Sequence, residues 1–366
     1  MTTPNLPLPY ADDVETIPPD EAEDIRSVIK SLEQILARTQ AKSGQFQADV
    51  HVKTTGYVKG EFQVLPNLPD ELSQGLFEHA ATYPAVVRFS NAASQIQPDA
   101  MPDGRGMAIK LIGIEGGMAL ADDHADDGGG LTQDFVMINH PVFFARNVKE
   151  YLRLEEVLAQ AERPLDTLQG ILTGGDRNPL HWHWRQALTV AQIAGHTPAH
   201  PASNTYFSMA PIRFGMHVAK YRAKPAGELH ESYLNLVKTL AFHADAMRLA
   251  LEATLRSQDV QFEFQVQLRT SERTMPIEDA TIEWPESESP YRTVAHLWLP
   301  PQEIASVQRL DACKHLSFNV WHALAAHRPL GGINRVRRLA YPVSSAWRNH
   351  QAGGEPKEPQ SIDQIY

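Results

Sequence analysis

A single cysteine, Cys313, stands in 366 residues. One thiol makes no internal disulfide, nor a zinc site of the multi-cysteine kind. Its sequence neighbours give no sign of an activated thiolate. Long apolar runs are also missing: none approaches the ~18 residues a membrane-spanning helix needs. The N-terminus has no basic segment followed by an apolar one, so no secretory leader is expected. Basic blocks are absent as well. The chain carries 33 Lys and Arg against 44 Asp and Glu, a formal net charge of −11. That balance excludes a general nucleic-acid binder. No phosphate loop is present, because Gly104-Arg105-Gly106 is not followed by Lys-Ser or Lys-Thr. A chain with these absences is expected to be soluble and cytoplasmic, with no nucleic-acid partner and no integral membrane segment.

The composition that remains is globular. Hydrophobic residues make up 42 % and charged residues 21 %, which excludes global disorder and a coiled-coil rod. Pro4, Pro7, Pro9, Pro18 and Pro19 make residues 1–19 an extended arm, since proline fixes φ and removes a donor. From Asp20 to about Lys42, Ile25, Val28, Ile29, Leu32, Ile35 and Leu36 recur at helical spacing behind an acidic first turn, which predicts an amphipathic helix. Strands are expected around His51, at 84–90, 107–111, 134–138, 260–268 and 293–299. Val50 and Val52 flank His51 and would turn it to the opposite strand face. Helices are expected at 148–161, as one element at 231–256, and from Asn334 to about His350. The tail 351–366, rich in Gly, Pro and charge, is expected to be mobile, leaving 20–350 as the folded domain. No internal repeat is found. The class is α+β, with one large antiparallel sheet or barrel between helices.

The strongest chemical pattern lies near the C-terminus. Arg337, Tyr341 and Arg348 stand at i, i+4 and i+11, within about 40° of one another at ~100° per residue. A cation one turn away favours a phenolate over a phenol, and tyrosine is a known axial ligand of haem iron. The same spacing also describes an ordinary basic helix face. His51 suits a general acid or base, with the Ser90 hydroxyl able to fix its tautomer. It equally suits a satisfied structural histidine. The run Asp122 to Asp127 is no EF-hand, because it lacks Gly at the sixth place and Glu at the twelfth. His181-Trp182-His183-Trp184 offers two ligands in a strand but no third, which fits an aromatic segment better than a metal site.

The order of several blocks carries a resemblance. Val50-His51-Val52-Lys53 precedes Val87-Arg88-Phe89-Ser90, then Asp103-Gly104-Arg105-Gly106-Met107-Ala108-Ile109-Lys110. Asp134-Phe135-Val136, Pro141-Val142-Phe143-Phe144 and Arg337-Arg338-Leu339-Ala340-Tyr341-Pro342 follow. Over roughly residues 45–350 the chain resembles the haem catalase superfamily, most of all its small catalase-related members. The resemblance implies a catalase-like antiparallel β-barrel with surrounding helices and haem b, ferric iron protoporphyrin IX, as cofactor. It implies Tyr341 as the iron ligand, Arg337 hydrogen-bonded to its phenolate, and His51 as the distal acid/base with Ser90 on its far nitrogen. Arg88 and Arg348 would hold the propionates, and Phe143 and Tyr151 would pack near the haem. A homo-oligomer, dimer or tetramer, is implied too.

Several positions depart from the family pattern. Ile138 stands where catalases have a distal asparagine, and Asn139 follows it. A one-residue slip in a strand reverses the side-chain face, so Asn139 would serve only through a bulge. Leu339 and Val343 replace the usual Phe and Asp, and Ala48 replaces a propionate arginine. The chain is also shorter than full catalases. The expected activity is a haem-dependent peroxidase that reduces hydrogen peroxide or organic hydroperoxides. A fatty-acid hydroperoxide isomerase, lyase or epoxyalcohol-forming enzyme is the alternative. A barrel that binds haem or another apolar ligand is the non-enzymatic one.

Overall fold

The computed structural model describes residues 5–44, 51–119, 132–160, 164–174, 176, 178–227, 229–304, 306, 313, 316–349, 358–359 and 361–365. Val50, the acidic run 122–127 and most of the tail beyond 350 lie outside them.

Among the described residues nine strands form one antiparallel sheet: β1 (Thr54–Val64), β2 (Thr82–Asn91), β3 (Arg105–Ile112), β4 (Thr132–Ile138), β5 (Tyr206–Phe207), β6 (Ile212–Phe214), β7 (His217–Ala226), β8 (Val260–Leu268) and β9 (Arg292–Leu299). Their order is β5-β4-β3-β2-β1-β9-β8-β7-β6, and a β5–β7 pairing closes the first eight into a barrel. Closure removes the open edges that a flat sheet would expose. The strict alternation of Phe262, Phe264, Val266 and Leu268 points one face of β8 inward. The barrel interior is aromatic, with Phe62, Phe135 and Phe264 ring centres 5.9, 5.1 and 4.6 Å apart pairwise.

Seven α-helices surround the barrel among the described residues: α1 (Glu21–Ser43), α2 (Val148–Gln160), α3 (Pro164–Thr173), α4 (Trp184–Ala194), α5 (Glu231–Thr239), α6 (Ala246–Leu255) and α7 (Gly332–Asn349). The apolar stripe of α1 packs Ile25, Val28, Leu32 and Leu36 against Val148 of α2 and Val336 and Ala340 of α7. This three-helix layer fixes α7 beside the barrel wall.

Three expectations need correcting. The single helix at 231–256 is two. The first ends at Thr239; beyond it Lys53 takes the Ala244 carbonyl at 2.5 Å, and Asp99 accepts the Met247 N–H at 2.8 Å, so distant side chains hold the break and cap the second helix. The chain's end is not loose where it is described. Glu358 forms an ion pair with buried Lys110, and Ile365 is buried beside Tyr57, Val86 and Leu316. Finally, no strand runs through His51; β1 begins three residues later, at Thr54. Residues 5–19 are without helix or strand. They lie on their own chain, where Tyr10 and Val14 pack near Met275, Ile277 and Trp284.

Candidate active site

Strands β3 and β4, and β2 from Ala85 onward, are buried on both faces. Phe89, Met107, Ile109, Phe135 and Met137 enter the barrel core. The alternate positions face outward, and register aligns them in rows. Arg88 pairs with Ala108, which pairs with Val136, and Ser90 pairs with Gly106. Between these rows and α7 lies a cavity of about 110 Å³. From the wall it is lined by His51, Arg88, Ser90, Gly106, Ala108 and Val136. From α7 it is lined by Tyr341, Ser344, Ser345 and Arg348, at i, i+3, i+4 and i+7.

His51 reaches the cavity by a turn. Its φ is 55°, in the left-handed region that a side chain enters only at a cost. Its N–H donates to the Ala92 carbonyl at 3.2 Å. Its carbonyl accepts from Arg88 Nη2 at 2.5 Å, and Arg88 also holds Thr54 Oγ1 through Nε at 3.2 Å. These bonds hold the turn and swing the ring onto the outer barrel face. There Nδ1 lies 3.0 Å from Ser90 Oγ. A Cβ on Gly106 would sit 2.6 Å from that nitrogen, so only glycine leaves the ring its place. Burial, then the charge of Arg88, lowers the imidazole pKa to about 3. The half-buried ring is therefore neutral at ordinary pH and can take a proton.

The other expected residues divide. His51, Arg88, Ser90, Tyr341 and Arg348 share the cavity. Arg337, Phe143 and Tyr151 form a layer next to it. The Arg337 guanidinium lies 5.3 Å from the Phe143 ring centre, and Phe143 lies 5.6 Å from Tyr151. Arg337 donates to Asn334 Oδ1 at 3.1 Å rather than to Tyr341. Asn139 lies apart from them: its Oδ1 accepts the Arg105 N–H at 2.7 Å, and it is not among the residues lining the cavity. No bulge turns it back, and Ile138 joins an apolar cluster with Phe143 and Ile193. Neither histidine of the 181–184 run finds the other. His181 pairs with Asp176 at 2.8 Å, whereas His183 lies beside Gly174. Sequence reasoning missed Ser344 and Ser345, which helical spacing from Tyr341 would have found. It also missed Ser317 and Phe318, which carry no periodic signal.

No protein-family model matches the chain, and no curated protein does. Solved structures do match. A fungal catalase superimposes with a TM-score of 0.62 at 16 % identity, over 85 % of this chain and 61 % of that one. Catalase A from Saccharomyces cerevisiae gives 0.61 at 16 % identity, over 95 % of this chain and 68 % of its own. The fold is catalase-like. A bacterial catalase agrees, with a TM-score of 0.57 at 16 % identity over 92 % of this chain and 64 % of that one. The chain thus spans less than two thirds of the length of the first of these catalases. At such identity the likeness concerns architecture, and a catalase-like barrel sets no chemistry by itself. No helix among the described residues is long and apolar enough to cross a membrane.

Proposed function

We propose that this cavity binds haem b and that the protein is a haem-dependent oxidoreductase acting on a peroxide. One observation supports this most: Tyr341 of α7 and His51 of the barrel wall border a single cavity, with Arg88 and Arg348 beside them. The residues present suit the group. A phenolic oxygen is a hard donor for ferric iron. Two guanidinium groups match two propionates in charge and in planar geometry. The bare Gly106 surface lets His51 lie against the wall, where a Cβ would displace it. Bound there, haem would supply the redox chemistry that cleaves an O–O bond.

The chain's own side chains manage the protons. Neutral His51 takes the proton from one peroxide oxygen at Nε2 and returns it to the other, a service typically worth 10²–10⁴-fold. Ser90 at Nδ1 keeps the ring oriented. Ala108, Val136 and Phe318 make part of the cavity wall apolar. With no asparagine among the described lining residues, an organic hydroperoxide is favoured over a second hydrogen peroxide. Hydroperoxide isomerisation would use the same cavity without an external reductant.

Titration of the full chain with hemin is expected to give a saturable ferric spectrum of the tyrosinate type, lost in Tyr341→Phe. A Tyr341→Phe variant with full haem content, or a wild type that takes up none, overturns the assignment. Linoleic acid hydroperoxide is expected to lose its diene absorbance quickly, while hydrogen peroxide releases little oxygen. Strong oxygen release would reverse the substrate preference.

A further inference from the structure

Ser317 and Phe318 line the cavity, yet neither belongs to a helix or strand. What holds this wall lies behind it. Lys110, on the outward side of β3, is fully buried. Its ammonium donates to the two oxygens of Asp134 at 2.8 and 2.9 Å, and to Glu358 at 2.5 Å. The same ammonium lies 5.6 Å from the centre of the Phe318 ring. Asp134 accepts the Asn319 N–H at 2.9 Å, and its own N–H donates to the His322 carbonyl at 2.7 Å. The barrel thus grips the wall loop just after Phe318.

Glu358 closes the cluster from the chain's end. Thr132 Oγ1 donates to it at 3.0 Å, and His322 Nδ1 stands 3.4 Å from its other oxygen. Its side chain is only 8 % exposed. A few residues on, Ile362 and Ile365 pack in one cluster with Leu316 and Phe318. The loop carrying Phe318 is therefore held between the barrel and the C-terminal segment, by charge on one side and apolar contact on the other. A buried carboxylate is costly unless its partners hold it in place, so the seated segment and the ordered loop support each other.

We propose that Glu358 is a positioning residue of the active site: through Lys110 and the 316–322 loop it sets Phe318 against the bound ligand. This rests on the cavity's being the active site. Glu358 is not among the residues lining the cavity. Its effect passes through side chains that meet the cavity wall.

The test compares the full chain with Glu358→Gln by amide hydrogen exchange without ligand and by hemin titration. Exchange across 316–322 is expected to quicken about tenfold. The hemin Kd is expected to rise about tenfold, with Glu358→Asp recovering part of both effects. In a Phe318→Ala background, Glu358→Gln should leave the hemin Kd unchanged while still lowering Tm. Faster exchange confined to 358–365, or additive losses of hemin affinity in that background, overturns the proposal. Should Glu358→Gln lose protection everywhere, Ile365→Ala takes its place under the same criteria. If the wild type takes up no hemin, the haem assignment fails on its own, and exchange at 316–322 decides the role of Glu358.

Discussion

His51 enters its cavity through a backbone conformation that side chains seldom adopt, and its neighbours supply the reason. Arg88 serves twice, holding the His51 carbonyl at 2.5 Å while lining the cavity. Gly106 supplies the space. In Gly106→Ala the new Cβ would meet His51 Nδ1 at 2.6 Å and Ser90 Oγ at 2.7 Å, so the ring must move. Hemin uptake should survive, because Tyr341 is on the other wall. Turnover of an organic hydroperoxide should fall by ~10²-fold, the lower range for a lost acid/base group. Stopped-flow measurement on the hemin-loaded variant checks this, and an unchanged rate would remove His51 from the mechanism.

At the scale of the element, α7 carries the cavity's second face, and its N-terminus is built from distant parts of the chain. The Gly331 N–H donates to Glu15 at 2.7 Å, and the Gly332 N–H donates to Glu278 at 2.9 Å. Carboxylates at a helix start meet unpaired amides and the positive end of the dipole. Arg335 then joins Glu15, Glu21 and Glu278. Arg335→Ala would leave the buried Glu21 carboxylate without its cation, whereas Glu15 keeps Arg328 at 2.8 Å, and should cost about 3 kcal/mol of unfolding free energy. Urea denaturation measures it. Arg335→Lys should recover only part, because one ammonium cannot span three partners. The amphipathic helix at 20–42 was legible from its apolar period. That its Glu21 would brace α7 was not, because some 300 residues separate the two.

For the whole molecule, the buried histidines set the response to acid. His200 accepts the Ala202 N–H at Nδ1, and His327 accepts the Leu76 N–H at Nε2. A proton on either accepting nitrogen would break that bond. Burial lowers both pKa values to about 4. Below their ordinary value of 6.5 the unfolded chain binds protons that the folded chain refuses. Stability is therefore full above about pH 6.5 and falls as pH drops toward about 4. Each histidine contributes a slope of about 1.4 kcal/mol per pH unit within that window. Urea midpoints between pH 4 and 8 test this, and His200→Gln with His327→Gln should make the acid side shallower, leaving the slope that neutral His51 contributes. A profile already flat in the wild type would contradict the burial of two neutral rings.

Local pattern alone determined the class of this protein. Alternating Phe262, Phe264, Val266 and Leu268 has one strand reading. The spacing of Tyr341 and Arg348 puts both on one helix face, because helical period is a property of the backbone. The block order from His51 to Tyr341 pointed to the right barrel. Tertiary structure alone decided the rest. A two-residue flank around His51 looked like a strand, whereas Arg88, Ala92 and Gly106 impose a turn. Asn139 could have served only through a bulge, and the Arg105 N–H, 34 residues away in sequence, takes its oxygen instead. The tail looked loose by composition, yet a buried ammonium on β3 holds Glu358. In each case the partner is remote in sequence, and a buried hydrogen bond or ion pair outweighs the weak local preference that sequence pattern reads.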